Sequence, residues 1–186
     1  KTILNLKSKI MFTKKSLLIL SLALFIGSSL SAQDFKYIGA AKCKMCHNKE
    51  DKGEQYNKWM AAPHANAMKS LSNEESMAYA KENGIADPTK DPGCLSCHAT
   101  AGAIDKSQNG GVKMDEGVSC ESCHGPGSVY KNMSIMKSRE KSMESGLILP
   151  TKEVCVTCHN EKNPFHKPFN FDEAVKKIAH PDPTAE

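Results

Sequence analysis

Eight cysteines and seven histidines carry most of the chemistry open to this sequence, and their spacing is regular. Cys120, Cys123 and His124 form a C-x-x-C-H. The same pattern recurs at Cys43/Cys46/His47, Cys94/Cys97/His98 and Cys155/Cys158/His159, so that four motifs consume every cysteine. Two thiols three residues apart can add across the two vinyl groups of one porphyrin, and the next His reaches its iron from the same turn. One copy would equally suit half a zinc site or a redox dithiol. Four copies, each with its His in register, point instead to four haem c groups.

The motif histidines give each iron one axial ligand. Beyond them only His64, His166 and His180 remain, so at most three irons can be bis-histidine within one chain. Periodicity places His64 with Ala67, Met68 and Leu71 on the buried face of a helix opened by Pro63. His180 ends an apolar face made by Val175 and Ile178, and could act as a ligand or as a helix C-terminal cation. His166 lies in a Pro/Phe-rich loop, Asn163–Phe171. A methionine could close a remaining iron and would raise its potential relative to bis-His. Met114 is the lone candidate near the third motif, because the Met133/Met136/Met143 stripe reads as packing.

The elements that must hold these ligands are short. Ser72-Asn73-Glu74-Glu75 reads as a capping box opening a helix that Gly84 ends. Residues 85–93 are turn chemistry leading into the second motif. A Gly-rich connection around Asn109-Gly110-Gly111 joins the second and third motifs. A longer helix is expected from about Ser128 to Ser145, stopped by Gly146, and a last short helix capped by Asp172. No strand-rich region appears. With one Trp, six Phe and four Tyr, the chain cannot build a large aromatic core of its own. The porphyrins must supply much of the apolar interior, giving a mostly α multihaem cytochrome c of short helices and loops wrapped round four haems.

Residues 1–32 read as a signal peptide. Lys14-Lys15 precede the apolar run Ser16–Gly27, and small residues lead to a cleavage point after Ala32, with residues 1–10 lying upstream of Met11. The run is shorter than the ~20 residues a membrane span needs. Residues 33–186 then form a single tetrahaem domain exported to the periplasm or beyond, with no membrane span after cleavage. The whole chain has 25 basic and 21 acidic residues, net +4, but five of the lysines lie in 1–32. Without them the balance is about −1, which removes support for nucleic-acid binding. A mildly acidic surface suits a basic redox partner through steering.

Several stretches resemble one family. They are Tyr37–Cys43 leading into the first motif, Trp59 with Pro63-His64, Asp91–Thr100, Glu116–Gly127, and Ile178-Ala179-His180-Pro181. Together they are similar to the cytochrome c-554 family of periplasmic tetrahaem electron carriers. The resemblance implies a mostly helical wrap, haems in closely stacked pairs, three bis-histidine irons and one five-coordinate. It also implies that His64 and His180 occupy distal-ligand positions. Partners implied are a donor oxidoreductase, hydroxylamine oxidoreductase being the best known in the family, and a downstream acceptor.

With no catalytic constellation outside the haem motifs, the chain reads as an electron relay rather than an enzyme. Two alternatives stay open: a haem enzyme reducing a small nitrogen oxide at a vacant iron, and a subunit of an extracellular cytochrome filament or other homo-oligomer.

Overall fold

The computed structural model describes residues 34–183; the signal-peptide segment lies outside them. Each motif sits on or at the end of a short helix. Helix α1 (Ala40–His47) carries the first motif, α5 (Pro92–His98) the second and α7 (Cys120–His124) the third. The fourth begins on α10 (Lys152–Val156) and finishes in the turn beyond it. Between them lie α2 (Gln55–Ala61), α3 (Ala67–Ser70), α4 (Glu74–Glu82), α6 (Thr100–Ala103), α8 (Met133–Met136), α9 (Arg139–Glu144) and finally α11 (Phe171–Ile178). Among the described residues the sole β feature is a parallel bridge between Tyr37 and Asn109.

The polypeptide's own core is thin. Ile38, Leu71, Leu95, Val112 and Tyr130 are its large buried hydrophobic residues among those described, the rest being alanines. Leu71, Leu95 and Ala99 cluster under the second motif with Met68 and Cys94. For about 150 residues this is much less apolar burial than a self-sufficient domain of that size needs, as expected of a chain that shares its interior with bound groups.

Polar ties between distant segments do the remaining work. Thr100, 1% exposed, accepts the Ser119 N–H at 2.8 Å, shares a 2.6 Å hydrogen bond with Ser122 and donates its own N–H to the Gly117 carbonyl at 2.9 Å. The end of the second motif is thereby fixed to the start of the third. The Lys36 N–H donates to Ser128 Oγ while the Ser128 N–H donates to the Lys36 carbonyl, tying the leading segment to the chain after the third motif.

Several boundaries differ from the sequence expectation, each for a local reason. The helix expected from Pro63 is a 3-10 turn, Pro63–Asn66, followed by the short α3. The His64 carbonyl accepts the Ala67 N–H of that turn and, from another segment, the Val118 N–H at 3.0 Å. The helix expected over 128–145 is broken into α8 and α9. Ser138 leaves helical geometry to accept the Lys141 N–H, and Ser142 Oγ donates to the Ile135 carbonyl at 3.1 Å, an acceptor that a continuous helix would use. The methionine stripe is interrupted there, and Met133 and Met143 are exposed. Helix α4 is capped by Asn73, not Ser72, through an Asn73–Ser76 N–H bond of 2.7 Å. Helix α11 is capped by Asn170, not Asp172. It ends at Ile178, leaving His180 just past the helix instead of on its last turn.

Candidate haem-attachment and axial-ligand sites

The four C-x-x-C-H motifs, far apart in sequence, converge. The thiol of Cys43 in the first motif meets that of Cys120 in the third, and Cys97 of the second meets Cys158 of the fourth. Cys123 of the third lies within electrostatic reach of Cys155 and Cys158. The attachment points therefore run first, third, fourth, second. No disulfide joins any of the eight cysteines. Among the described residues no three His, Cys, Asp or Glu side chains form a cluster that could hold a metal ion by themselves.

Cys46 differs from the other attachment thiols in its exposure. It is exposed, whereas the other seven cysteines are half-buried. The reason is the position of α1. Cys43 is on the face turned toward α7 and the third motif, while Cys46 follows the exposed Lys44 and Met45 and is not brought against a cysteine of another motif. Its assignment as the second attachment thiol of the first motif therefore rests on the C-x-x-C-H spacing and not on burial.

Two of the three extra histidines face motif histidines. The rings of His64 and His159 lie 6.0 Å apart, centre to centre, at 82° to each other. Those of His124 and His180 lie 6.1 Å apart at 70°. A metal–imidazole bond of about 2 Å, plus about 1.1 Å from nitrogen to ring centre, taken twice, puts two rings sharing one iron about 6 Å apart. Both pairs meet that requirement. The residues present fit the axial ligation of a c-type haem.

Hydrogen bonds at the inner nitrogens support the same fit. His180 Nδ1 donates to the Ile178 carbonyl at 2.7 Å and His98 Nδ1 to the Ala67 carbonyl at 2.8 Å. With Nδ1 carrying the proton, Nε2 is left as the free lone pair, the arrangement that orients a ligating imidazole. His124 Nδ1 lies 3.4 Å from the Ile148 carbonyl and His47 Nδ1 3.4 Å from Gln55 Oε1, looser versions of the same contact. Burial and the neighbouring His159 hold His64 below the usual histidine pKa; burial and His180 do the same for His124. The neutral ring is the one that can ligate.

His64 is placed from three sides. Pro63 opens its turn, the Val118 N–H holds its carbonyl, and Trp59 Nε1 donates to the Val118 carbonyl at 2.9 Å. The approach depends on Gly117, whose φ of 65° and ψ of −142° suit glycine, and where a Cβ would sit 2.7 Å from the His64 carbonyl oxygen.

The remaining candidates are not brought to a motif histidine in this way. His166 is half-buried on the loop after the fourth motif and near enough to His159 to lower its pKa, but the ring facing His159 at the axial distance is that of His64. Met114 opens a 3-10 turn, Met114–Glu116, and is 40% exposed. Sequence reasoning missed Phe169, stacked on His159 at 4.9 Å and 16°. It also missed Glu121, the most thoroughly buried charged side chain among those described, at 1% exposure. A charged residue between the two cysteines of a motif was the available signal.

Comparison with known proteins gives the family. The family model for cytochrome c554 and c-prime matches residues 42–125, which span the first three motifs. Cytochrome c-554 of Nitrosomonas europaea is 30% identical over 191 residues, covering 82% of this chain and 77% of that protein. The chain belongs to the cytochrome c-554 family. It is a haem electron-transfer protein with a mostly α-helical multihaem cytochrome c fold, and haem c is its cofactor. Electron carriage, not catalysis, is the family's character. No solved structure matches the chain.

Proposed function

We propose that this family member is a tetrahaem relay, exported from the cytoplasm, that takes electrons from a donor oxidoreductase and passes them to a downstream acceptor. Cys43/Cys46, Cys94/Cys97, Cys120/Cys123 and Cys155/Cys158 would hold the haems, with His47, His98, His124 and His159 as proximal ligands and His159–His64 and His124–His180 as axial pairs. His166 stays outside those pairs. The observation that carries the reading is the convergence of the attachment points: Cys43 meets Cys120, Cys97 meets Cys158, and Cys123 lies within electrostatic reach of the fourth motif. When bound, each haem supplies a one-electron ferric/ferrous couple.

The chain's own part is to place and hold. Thr100 fixes the second motif to the third. The His64 turn, bonded to Val118 of the third motif's lead-in, presents its ring to the fourth. A histidine on each side keeps coordination the same in both oxidation states, so an axial pair needs no movement of the polypeptide during transfer. A net charge of about −1 after leader removal favours a donor or acceptor with a basic face, by steering.

Two measurements on exported protein test this. The intact mass should exceed that of the polypeptide by four haems, and a spectroelectrochemical titration should resolve four one-electron steps. Fewer haems would contradict the attachment reading. Steady-state reduction of nitric oxide or nitrite would contradict the relay. So would low-spin haem turning partly high-spin on dilution, which would mean that a neighbouring chain supplies a ligand.

A further inference from the structure

Glu121 lies inside the third motif, between Cys120 and Cys123, and its carboxylate is buried against the entry to the first. Oε1 accepts from the Gly127 N–H at 2.7 Å and the Ile38 N–H at 2.9 Å. Oε2 accepts from the Gly39 N–H at 2.7 Å and shares the Ile38 N–H at 2.9 Å. Every partner is a backbone donor, so no acceptor faces either oxygen to take a carboxyl proton, and the pocket is built for the ionised form. Glycines line the approach: at Gly39, with φ of 86°, a Cβ would meet the second carboxylate nearby, Glu116, at 2.8 Å. Glu116 itself accepts the next N–H, that of Ala40, at 2.9 Å.

A side chain that only joined two segments could do so with an amide or hydroxyl. A carboxylate removed from water is costly unless its charge is used or fully paired, and among the described residues it makes no salt bridge. Tyr37, Tyr130, Cys43 and Cys120 lie within the electrostatic reach of Glu121, and the last two are haem-attaching. Burial raises the Glu121 pKa and the three N–H donors oppose that rise.

We propose that Glu121 is a fixed negative charge, set between the first and third attachment motifs, that lowers the reduction potentials of the haems those two motifs carry. In a medium of low dielectric, a buried charge close to both attachment points disfavours the arrival of an electron at either. The couples being tuned take one electron per iron from an external donor and make or break no bond. Glu121 is thus a positioning residue in two senses: it locks the first motif to the third, and it sets their place in the order of filling. This rests on the tetrahaem reading above.

The test uses the holoproteins of wild type, Glu121→Gln and Glu121→Asp, each first checked for four added haems by intact mass. In Glu121→Gln, two of the four midpoints should rise, each by at least the ~59 mV that equals a tenfold change in a one-electron equilibrium. Glu121→Asp, which keeps the charge, should stay within that margin of wild type. Four haems with unmoved midpoints in Glu121→Gln, or equal shifts in both variants, would reduce Glu121 to a structural tie. If Glu121→Gln does not load haem, wild-type protein labelled with 13C-glutamate decides by redox-difference infrared spectroscopy. A labelled carboxylate band that shifts as two of the four haems are reduced supports the proposal, and its absence overturns it. Fewer than four haems on wild type would instead sink the tetrahaem reading.

Discussion

Replacing Gly117 by alanine tests how the third motif's lead-in positions the distal ligand of the fourth. Gly117 sits at φ 65° and ψ −142°, and a Cβ there would lie 2.7 Å from the His64 carbonyl oxygen and 2.9 Å from that of Ala65. Holding a non-glycine residue in such a conformation costs about 1–3 kcal/mol. The backbone oxygens cannot rotate away as a side chain would, so the clash adds about 1–3 kcal/mol of overpacking. Relief must come from moving the His64 turn, since the Val118 N–H and the His64 carbonyl are bonded at 3.0 Å. A combined loss of about 2–6 kcal/mol, divided by a urea dependence of about 2 kcal/mol per molar, lowers the unfolding midpoint by about 1–3 M. The low-spin signal belonging to the His64–His159 iron should weaken in the same variant, while that of His124–His180 persists. Denaturation followed at the Soret band, with electron paramagnetic resonance on the same samples, reads both. An unchanged midpoint together with an unchanged low-spin spectrum would refute the reasoning.

Two other substitutions probe the scaffold. Thr100→Val keeps the shape but strands the buried Ser119 N–H and removes the Ser122 bond; the expected cost is about 2–3 kcal/mol, read as a lower urea midpoint with four haems still attached. Lys90 and Thr89 hold the Asp87 carboxyl down to about 2. A folded pKa below the unfolded one contributes stability that is complete above about pH 5 and is lost as pH falls through the folded value. The difference in urea midpoint between about pH 6 and about pH 2.5 should therefore be smaller in Asp87→Asn than in wild type. Equal differences would show that the turn contributes nothing to acid sensitivity.

The chemistry of this protein lies in short covalent spacings, which is why so much of it could be read directly. C-x-x-C-H names its own cofactor, whereas residues 85–93, read as turn chemistry, end in a helix start at Pro92 that Asp91 caps through the Cys94 N–H at 3.0 Å. Spacing does not report burial, however: Cys46 has the same place in its motif as Cys97, Cys123 and Cys158, yet it alone of the eight cysteines is exposed. His64 and His180 were singled out by what surrounds them in sequence, and the structure places each against a different motif histidine. The partners themselves were not legible. His64 meets a ring 95 residues away through a turn whose shape is set by Val118, another segment entirely. The break at Ser138 was hidden because helix periodicity does not report a serine's choice to cap. Glu121 was hidden because its donors come from residues 38, 39 and 127. Wherever one segment's hydrogen bonds are completed by another, local pattern stops being informative.

The axial pairs are the central claim, and a count of low-spin ferric haems at low temperature tests them most directly. His64→Ala and His180→Ala, each retaining four covalent haems, should each convert one low-spin signal to high-spin, and the two signals lost should differ. Spectra unchanged from wild type in either variant, or loss of the same signal in both, would contradict the pairing.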